Sequence, residues 1–173
     1  MKKVFITGAS RGIGNAIAKS LLEENYTVIG TATTSEGVEQ LIEEGILGYK
    51  LELDDLERIN TSWEKIPNEH LDIDIIINNA GFTRDNLILR MSEDEWNDVM
   101  NVHLNAIFRI TKRLLKPMLK KRWGRIINLS STSAVLGNKG QANYAAAKAG
   151  IEAFSRSLAS EVGSRGITVN AVA

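Results

Sequence analysis

A tyrosine and a lysine lie four residues apart in the stretch NYAAAKAG, at positions 143–150. Alanine is the strongest helix former, so this stretch is predicted to be helical, with Tyr144 and Lys148 one turn apart on one face. A free phenol, with a pKa of about 10, is a poor acid at neutral pH, but a neighbouring ammonium favours its ionised form. The pair could therefore move a proton. In isolation, two such residues are more often part of an exposed helix surface.

Ser131 lies thirteen residues before Tyr144 and just after the strand-like run RIINL, at 125–129. Open parallel sheets bind ligands at the edge formed by the carboxyl ends of their strands. A serine hydroxyl at that edge could hydrogen-bond a substrate carbonyl while Tyr144 gives the same oxygen a proton. The serine, tyrosine and lysine together predict acid–base chemistry on a carbonyl group.

The stretch TGASRGIG, at 7–14, places three glycines between a predicted strand and a predicted helix. At such a turn, backbone N–H groups and the positive end of the helix dipole can bind a phosphate, and glycine lets the backbone approach it. The spacing of Gly8, Gly12 and Gly14 is neither the G-x-G-x-x-G fingerprint nor a P-loop, which needs a lysine. A purely structural turn is the alternative.

The end of the second predicted strand indicates which dinucleotide would bind. NAD-binding sites usually have an acidic residue there, which holds the ribose 2′-hydroxyl. The stretch VIGTATTSEG, at 28–37, offers Thr33 and other hydroxyl side chains before its first acid, Glu36. Arg11, inside the glycine turn, could pair with a 2′-phosphate. We therefore predict NADP(H), the alternative being an exposed arginine beside a polar loop.

Short apolar runs alternate with helical patterns along the chain, as in a parallel sheet covered on both faces. Strands are predicted at 3–7, 27–31, 48–53, 73–78, 125–129 and 168–172, and helices at 13–24, 36–43, 55–65, 93–121 and 141–162. Ser92 and Glu95 form a capping box before the fourth helix, and Pro117 should bend or interrupt that helix. The sequence predicts a single α/β domain over residues 1–173.

Composition excludes several classes of function. The 173 residues include 21 basic and 21 acidic side chains, two histidines and no cysteine. The balanced charge argues against nucleic-acid and membrane binding, and the lack of cysteine excludes thiolate catalysis and cysteine metal sites. The basic stretch KKRWGR, at 120–125, is too small a patch to predict a nucleic-acid interface. With no signal-like N-terminus or membrane-spanning apolar run, we expect a cytoplasmic protein without a metal site.

TGASRGIG, NNAG at 78–81, Ser131 and Tyr144-x-x-x-Lys148 together resemble the short-chain dehydrogenase/reductase family. The resemblance runs from residue 3 to residue 173 and implies a Rossmann-like doubly wound sheet in the strand order 3-2-1-4-5-6. It implies NADPH as hydride donor, Tyr144 as general acid, Ser131 as holder of the substrate carbonyl, and Lys148 as ligand of the nicotinamide ribose. Besides Tyr144 and Lys148, it implies cofactor contacts by Gly8, Ala9, Ser10, Arg11, Gly12, Ile13, Gly14, Thr33, Glu52, Leu53, Asn79, Ala80 and Gly81.

Three features depart from the family pattern. The stretch NVHLNAIF puts His103 where the family has an asparagine that holds a water in a proton relay ending at the lysine. A histidine that only packs the helix is the alternative. Glu52 replaces the usual aspartate or asparagine near the adenine. The chain also stops short of the usual family length, so we expect the seventh strand and the C-terminal segment to be absent from it.

Two stretches, NNAGFTRDNLILRMSEDEWNDVM and GQANYAAAKAG, are similar to the members of this family that reduce 3-oxoacyl groups carried on acyl carrier protein. The resemblance implies that substrate and fatty-acid elongation as its setting. The alternatives are another ketone or alcohol, such as an acyl-CoA, a sugar or a steroid, or an NADP-binding protein without turnover. Acyl carrier protein is acidic, so Arg122 and Arg165 are predicted to steer it towards the cleft, unless they are ordinary solvated charges.

The helix at 141–162 also carries a stripe of small residues, which are Ala142, Ala145, Ala146, Ala149 and Ala153. Together with the helix at 93–121 it could pack against the same pair in a second copy, as in the two-fold dimers of the family. We expect a homotetramer for the full-length protein. The 173-residue chain should form at most a dimer, because the second interface of the family's tetramer is built from the segment beyond residue 173. Its sixth strand would be an open edge, which should make the chain prone to aggregate.

Overall fold

Six parallel strands form one sheet in the computed structural model, which describes residues 1–173. The strands are β1 (Lys3–Ile6), β2 (Thr27–Ala32), β3 (Leu47–Lys50), β4 (Ile75–Asn78), β5 (Gly124–Leu129) and β6 (Ile167–Val172). Their order in the sheet is β3-β2-β1-β4-β5-β6, and every neighbouring pair is parallel. This confirms the predicted order 3-2-1-4-5-6 and the doubly wound α/β fold.

Seven helices connect the strands or extend the connections. They are α1 (Gly12–Glu23), α2 (Ser35–Glu43), α3 (Leu56–Trp63), α4 (Glu93–Met100), α5 (Ala106–Lys121), α6 (Ser133–Leu136) and α7 (Ala142–Val162). The predicted capping box at the start of α4 is present, with the Ser92 side chain and the Glu95 backbone N–H bonded at 3.1 Å. The short helix α6, directly after β5, was not predicted.

The helical segment predicted at 93–121 is present with those bounds, but its middle contains a turn that was not expected. A π-helical turn, Asn101–Asn105, separates α4 from α5, and α5 continues through Pro117 to Lys121. The prediction that Pro117 would interrupt the helix is therefore wrong. A proline removes only one backbone N–H donor, and the buried Leu114 and Met118 on either side of it hold α5 against the core.

The two faces of the sheet carry separate apolar clusters. The larger one covers Phe5 and Ile76 of the sheet with residues from α3, α5 and α7, including Leu114 and Leu158. The smaller one covers alternate strand residues with α1 and α2. Burial on both faces explains the nearly continuous apolar strands. No helix is long and apolar enough to cross a membrane.

β6 pairs with β5 alone and forms one edge of the sheet. The other edge is β3, which ends at Lys50, three residues earlier than predicted. Between these edges, the loops that follow β1, β4 and β5 leave the sheet on the same side. That carboxyl edge brings together the residues that the sequence singled out.

Candidate active site

The glycine turn between β1 and α1 has the backbone geometry that its sequence predicts. Gly8 and Gly12 have φ angles of +65° and +57°, in the left-handed region that favours glycine. A Cβ atom on Gly14 would collide with the backbone oxygen of Gly8 and the side chain of Asn79. The turn therefore brings α1 close to the sheet and directs the N-terminus of the helix towards the carboxyl edge.

Asn79, directly after β4, ties this turn to the middle of the sheet. Its side-chain amide donates to the backbone oxygens of Thr7 and Gly8, at 3.0 and 2.9 Å. In return, the Thr7 hydroxyl accepts from the backbone N–H groups of Asn79 and Ala80, both at 3.0 Å. Four hydrogen bonds thus cross-link the loops after β1 and β4.

A cleft of about 670 Å³ lies along these two loops. Of the predicted cofactor contacts, the ones that line it are Gly8, Ser10, Arg11, Gly12, Ile13, Thr33, Glu52, Leu53, Asn79, Ala80 and Gly81. Ala9 and Gly14 do not line it, because both are buried beneath the turn, where the Ala9 N–H donates to the Thr31 oxygen. The sequence missed five lining residues, which are Ala32, Asp54, Arg58, Phe82 and Val102.

Arg11 and Arg58 are the two cations of the cleft, and their surroundings differ. Arg58 forms ion pairs with Asp54 at 2.7 Å, Asp55 at 3.5 Å and Glu52 at 3.8 Å. The Arg11 side chain is exposed and has no hydrogen bond or ion pair within the chain. The free guanidinium of Arg11 is therefore the one available to an anionic ligand. The sequence could have indicated Arg58 as a lining residue, because it falls in the first turn of the helix that follows the third strand.

Tyr144 and Lys148 lie one turn apart on α7, as predicted. The Lys148 ammonium is 5.5 Å from the centroid of the Tyr144 ring and donates to the backbone oxygen of Leu129 at 2.6 Å. Only 4% of Lys148 is exposed, and burial lowers its pKa from 10.5 to about 8. At neutral pH the ammonium is still protonated, so a buried positive charge stands beside the phenol.

A second pocket, of about 410 Å³, opens beside Tyr144 and Lys148. It shares Ile13, Asn79, Gly81 and Phe82 with the larger cleft, so the two form one continuous groove, and it is also lined by His103 and Ser130. Ser131 does not line this pocket. Ser131 follows Ser130 in the loop, and its hydroxyl lies 3.3 Å from the hydroxyl of Ser133.

His103 lies in the π-helical turn and packs against the phenol of Tyr144. Only 2% of the residue is exposed, and its imidazole meets the Tyr144 ring edge-on. The Nε2 atom lies 2.7 Å from the backbone oxygen of Phe82, and Nδ1 is buried with no partner in the protein. Burial, followed by the charge of Lys148, lowers the pKa of His103 to about 4, so the ring is neutral at physiological pH. Nε2 also lies 3.2 Å from the backbone N–H of Phe82. The shorter contact, to the oxygen, favours the tautomer in which Nε2 donates, and in that tautomer Nδ1 is an acceptor.

Arg122 and Arg165 are close together but far from this groove. Arg122 ends α5 and donates to the backbone oxygen of Ser164, 3.1 Å away. Both arginines precede a strand, so they lie at the amino edge of the sheet, while Ser131 follows the carboxyl end of β5. Six strand residues, at about 3.3 Å each, put roughly 20 Å between the two edges. The predicted position near the cleft of the same chain is therefore wrong.

No group of three or more histidine, cysteine, aspartate or glutamate side chains is arranged to hold a metal ion. The groups that could do chemistry in the groove are thus the phenol, the ammonium, the neutral imidazole and the serine hydroxyls. A cleft whose glycine turn and free arginine could hold an anionic dinucleotide, joined to a pocket with a proton donor, suits an oxidoreductase.

Comparison with known proteins gives the same assignment. The family model for short chain dehydrogenase matches residues 2–173. The chain is 51% identical over 175 residues to the 3-oxoacyl-[acyl-carrier-protein] reductase FabG of Vibrio harveyi, covering 99% of this chain and 72% of that protein. It is 50% identical over 175 residues to the protein of that name from Escherichia coli (strain K12), with the same coverage.

A solved structure, that of a short-chain dehydrogenase from Streptomyces avermitilis, superposes with a TM-score of 0.91 at 33% sequence identity. The superposition covers 98% of this chain and 64% of that one, so the chain spans just under two thirds of that structure's length. The matched range includes the glycine turn, Asn79, Ser131, Tyr144 and Lys148. The chain belongs to the short-chain dehydrogenase family.

Proposed function

We propose that the protein reduces 3-oxoacyl-[acyl-carrier-protein] to the 3-hydroxyacyl form with NADPH, in fatty-acid elongation. The observation that carries this proposal is the groove in which the buried ammonium of Lys148 stands beside the Tyr144 phenol, next to a dinucleotide-sized cleft. The identity of about half to reductases of that name supports the substrate. A cytoplasmic location stays a prediction of the sequence.

The cleft fits NADPH by the shape of its backbone and by its charge. Gly12 leaves open space where a Cβ would stand, at the N-terminus of α1, so a diphosphate can approach the backbone N–H groups there. Arg11, unpaired within the chain, and the Thr33 hydroxyl would hold the 2′-phosphate, and Glu52 would lie near the adenine. When bound, NADPH supplies the hydride that reduces the carbonyl carbon.

Tyr144 would give its phenolic proton to the carbonyl oxygen. The ammonium of Lys148 stabilises the phenolate that remains, because the charge is buried and poorly screened by water. Lys148 would also hold the nicotinamide ribose, since two of its hydrogens stay free after the bond to Leu129. Ser131 would donate its hydroxyl hydrogen to the same carbonyl oxygen and so orient it.

His103 would take the part that an asparagine has in the family. Its Nδ1 atom is an acceptor without a partner, buried beside Tyr144 and close enough for its pKa to respond to Lys148. A water bound to Nδ1 would link this atom towards Lys148. After each turnover Lys148 would give a proton to the Tyr144 phenolate and take one back from solvent through this water. The simpler alternative, a histidine that only packs the helix, leaves a buried acceptor unsatisfied.

The partner would be acyl carrier protein, and the enzyme a homo-oligomer. On α7, Ala142, Ala146, Ala149 and Ala153 are exposed, and this flat stripe suits a two-fold contact. Arg122 and Arg165 would steer the acidic carrier towards the groove of an adjacent copy, because they lie at the opposite edge of their own sheet. The proposed assembly is a tetramer.

Side-by-side assays test the substrate and the cofactor. The same 3-oxoacyl group is presented on acyl carrier protein and on CoA, and oxidation of NADPH and of NADH is followed in each case. We expect the highest kcat/KM for the carrier-bound substrate with NADPH. Faster turnover of a sugar or steroid ketone than of either thioester would contradict the proposed substrate, and equal affinity for NADPH and NADH would contradict the proposed cofactor.

A further inference from the structure

The hydroxyl of Ser131 is held by a second serine. The backbone N–H of Ser133 donates to Ser131 Oγ at 3.2 Å, and Ser131 Oγ donates to Ser133 Oγ at 3.3 Å. Only 5% of Ser133 is exposed. The long bond between the two hydroxyls is one that a substrate oxygen could replace.

The Ser133 hydroxyl is in turn hydrogen-bonded to Gln141, the residue before α7. The Ser133 hydroxyl donates to Gln141 Oε1 at 3.3 Å, and the side-chain amide of Asn138 donates to both of these oxygens, at 2.9 and 3.0 Å. A hydroxyl has one hydrogen. Because Ser133 gives that hydrogen to Gln141, it can only accept from Ser131.

Asp85, in the loop after β4, fixes the direction of this whole series of hydrogen bonds. The Gln141 amide nitrogen donates to Asp85 Oδ2 at 2.9 Å. A carboxylate accepts hydrogen bonds and cannot donate them, so the amide nitrogen must face Asp85 and the amide oxygen must face Ser133. The backbone N–H of Asn86 donates to the Gly140 oxygen at 2.9 Å and keeps the two loops adjacent.

We propose that Asp85, Gln141 and Ser133 are positioning residues that keep Ser131 a hydrogen-bond donor towards the substrate carbonyl. This inference rests on the role of Ser131 under the proposed function. Each bond in the series can run in one direction only, from Ser131 to Ser133, to Gln141 and to Asp85. The hydrogen of Ser131 is then the one that turns to a carbonyl oxygen when substrate enters.

A pair of substitutions tests whether the hydrogen bond between positions 85 and 141 holds the series in place. Gln141→Glu places a carboxylate against Asp85, which removes the donor and repels, so kcat should fall by about tenfold or more while the Kd for NADPH stays the same. Adding Asp85→Asn restores a donor, now from position 85 to the carboxylate at 141. That carboxylate can still accept from Ser133 and Asn138. The double variant should recover kcat to within about threefold of the unaltered protein.

Two single substitutions complete the comparison. Ser133→Ala should lower kcat by roughly 3- to 10-fold, the range for one neutral hydrogen bond, with little change in the Kd for NADPH. Thr132→Ala is the matched control, because Thr132 is exposed and its side chain caps nothing. It should leave kcat unchanged. Thermal unfolding of every variant shows whether a lost rate reflects a lost fold.

The outcomes separate this inference from the function on which it rests. An unaltered protein that reduces the 3-oxoacyl thioester, with a double variant no faster than Gln141→Glu alone, would overturn the positioning series and leave the proposed function standing. A folded Ser133→Ala variant with unchanged kcat would do the same. An unaltered protein that binds NADPH and does not reduce the thioester would overturn both.

Discussion

The imidazole of His103 meets the ring of Tyr144 edge-on, with 5.2 Å between the ring centroids and 89° between their planes. This contact places a neutral ring at the phenol and leaves Lys148 as the charged group beside it, because burial keeps His103 deprotonated. The phenol is therefore held by packing on one side and by charge on the other.

Tyr144→Phe should lower kcat by about 10²-fold or more, because the ring and its packing against His103 remain while the proton donor is lost. The Kd for NADPH should change little. Tyr49→Phe is the matched control, since Tyr49 lies on the edge strand β3, outside the lining of the groove, where its hydroxyl bonds His70. Steady-state kinetics with fluorescence titration of NADPH measures both. Near-normal turnover by Tyr144→Phe would contradict the acid role.

Arg11→Ala should weaken binding of NADPH and leave binding of NADH nearly unchanged. A hydrogen bond between charged groups contributes roughly 1.5–3 kcal/mol, so the Kd for NADPH should rise by about 10- to 150-fold. Arg58→Ala is the control in the same cleft, because the charge of Arg58 is already paired with carboxylates. Calorimetric titration with both cofactors measures the effect. A similar loss for NADH after Arg11→Ala would contradict recognition of the 2′-phosphate.

Lys148→Met should stabilise the fold while it abolishes turnover. The low pKa of Lys148, about 8, means that the folded protein carries a buried charge at neutral pH against the cost of desolvation. Methionine keeps much of the volume and has no charge, so the free energy of unfolding at about pH 7 should rise by roughly 1–3 kcal/mol. Urea unfolding measures the change.

The difference in the free energy of unfolding between Lys148→Met and the unaltered protein should depend on pH, and this dependence tests whether the buried charge causes it. The pKa of Lys148 is lower in the folded state than its unperturbed value of 10.5, so between about pH 8 and 10.5 the unfolded chain binds more protons. The unaltered protein therefore gains stability relative to Lys148→Met as the pH rises, and the difference between them shrinks. Turnover should fall above about pH 8, where the ammonium is lost. A difference in stability that stays constant with pH would rule out the buried charge as its cause.

Gly81→Ala should destabilise the protein, because the added Cβ would collide with the imidazole of His103. Overpacking of this kind costs about 1–3 kcal/mol. His103→Asn, with a smaller side chain, should relieve the collision, so the double variant should be more stable than the sum of the single effects. Gly163→Ala is the control, since no atom lies within 4 Å of its added Cβ. Additive effects at Gly81 and His103 would contradict the predicted collision.

Arg122→Glu combined with Arg165→Glu should slow turnover of a carrier-bound substrate more than that of the same acyl group on CoA. Reversing both charges repels an acidic carrier, and the loss should appear mainly in kcat/KM and diminish as salt is added. Lys19→Glu, on α1, is the control for one reversed charge and is compared with Arg122→Glu alone. Equal effects on the two substrates would contradict docking at this pair of arginines.

The sequence predicted the sheet and much of the cleft because those features depend on local pattern. Buried parallel strands are continuous apolar runs, and a glycine-rich stretch between a predicted strand and a predicted helix marks a turn. The π-helical turn at Asn101–Asn105 has no such signal. It coincides with the seating of His103 against the Phe82 backbone, a contact between residues 21 positions apart.

The hydrogen bonds that hold Ser131 could not be predicted from the sequence for a similar reason. Ser131, Gln141 and Asp85 are connected through hydrogen bonds among three loops, and no periodicity in the sequence marks such contacts. The position of Arg122 and Arg165 was predicted wrongly because "near a strand end" does not distinguish the two edges of a sheet. Tracing the direction of β5 and β6 would have placed both arginines at the amino edge.

The four hydrogen bonds among Thr7, Gly8, Asn79 and Ala80 have a consequence for how a dinucleotide would be received. They hold the phosphate-facing turn in its final shape before any ligand arrives, so the conformational entropy of that turn is lost during folding. A nucleotide would then meet a preorganised surface, and its affinity would not be reduced by ordering this segment. Rearrangement during the reaction would be confined to loops outside this cross-link.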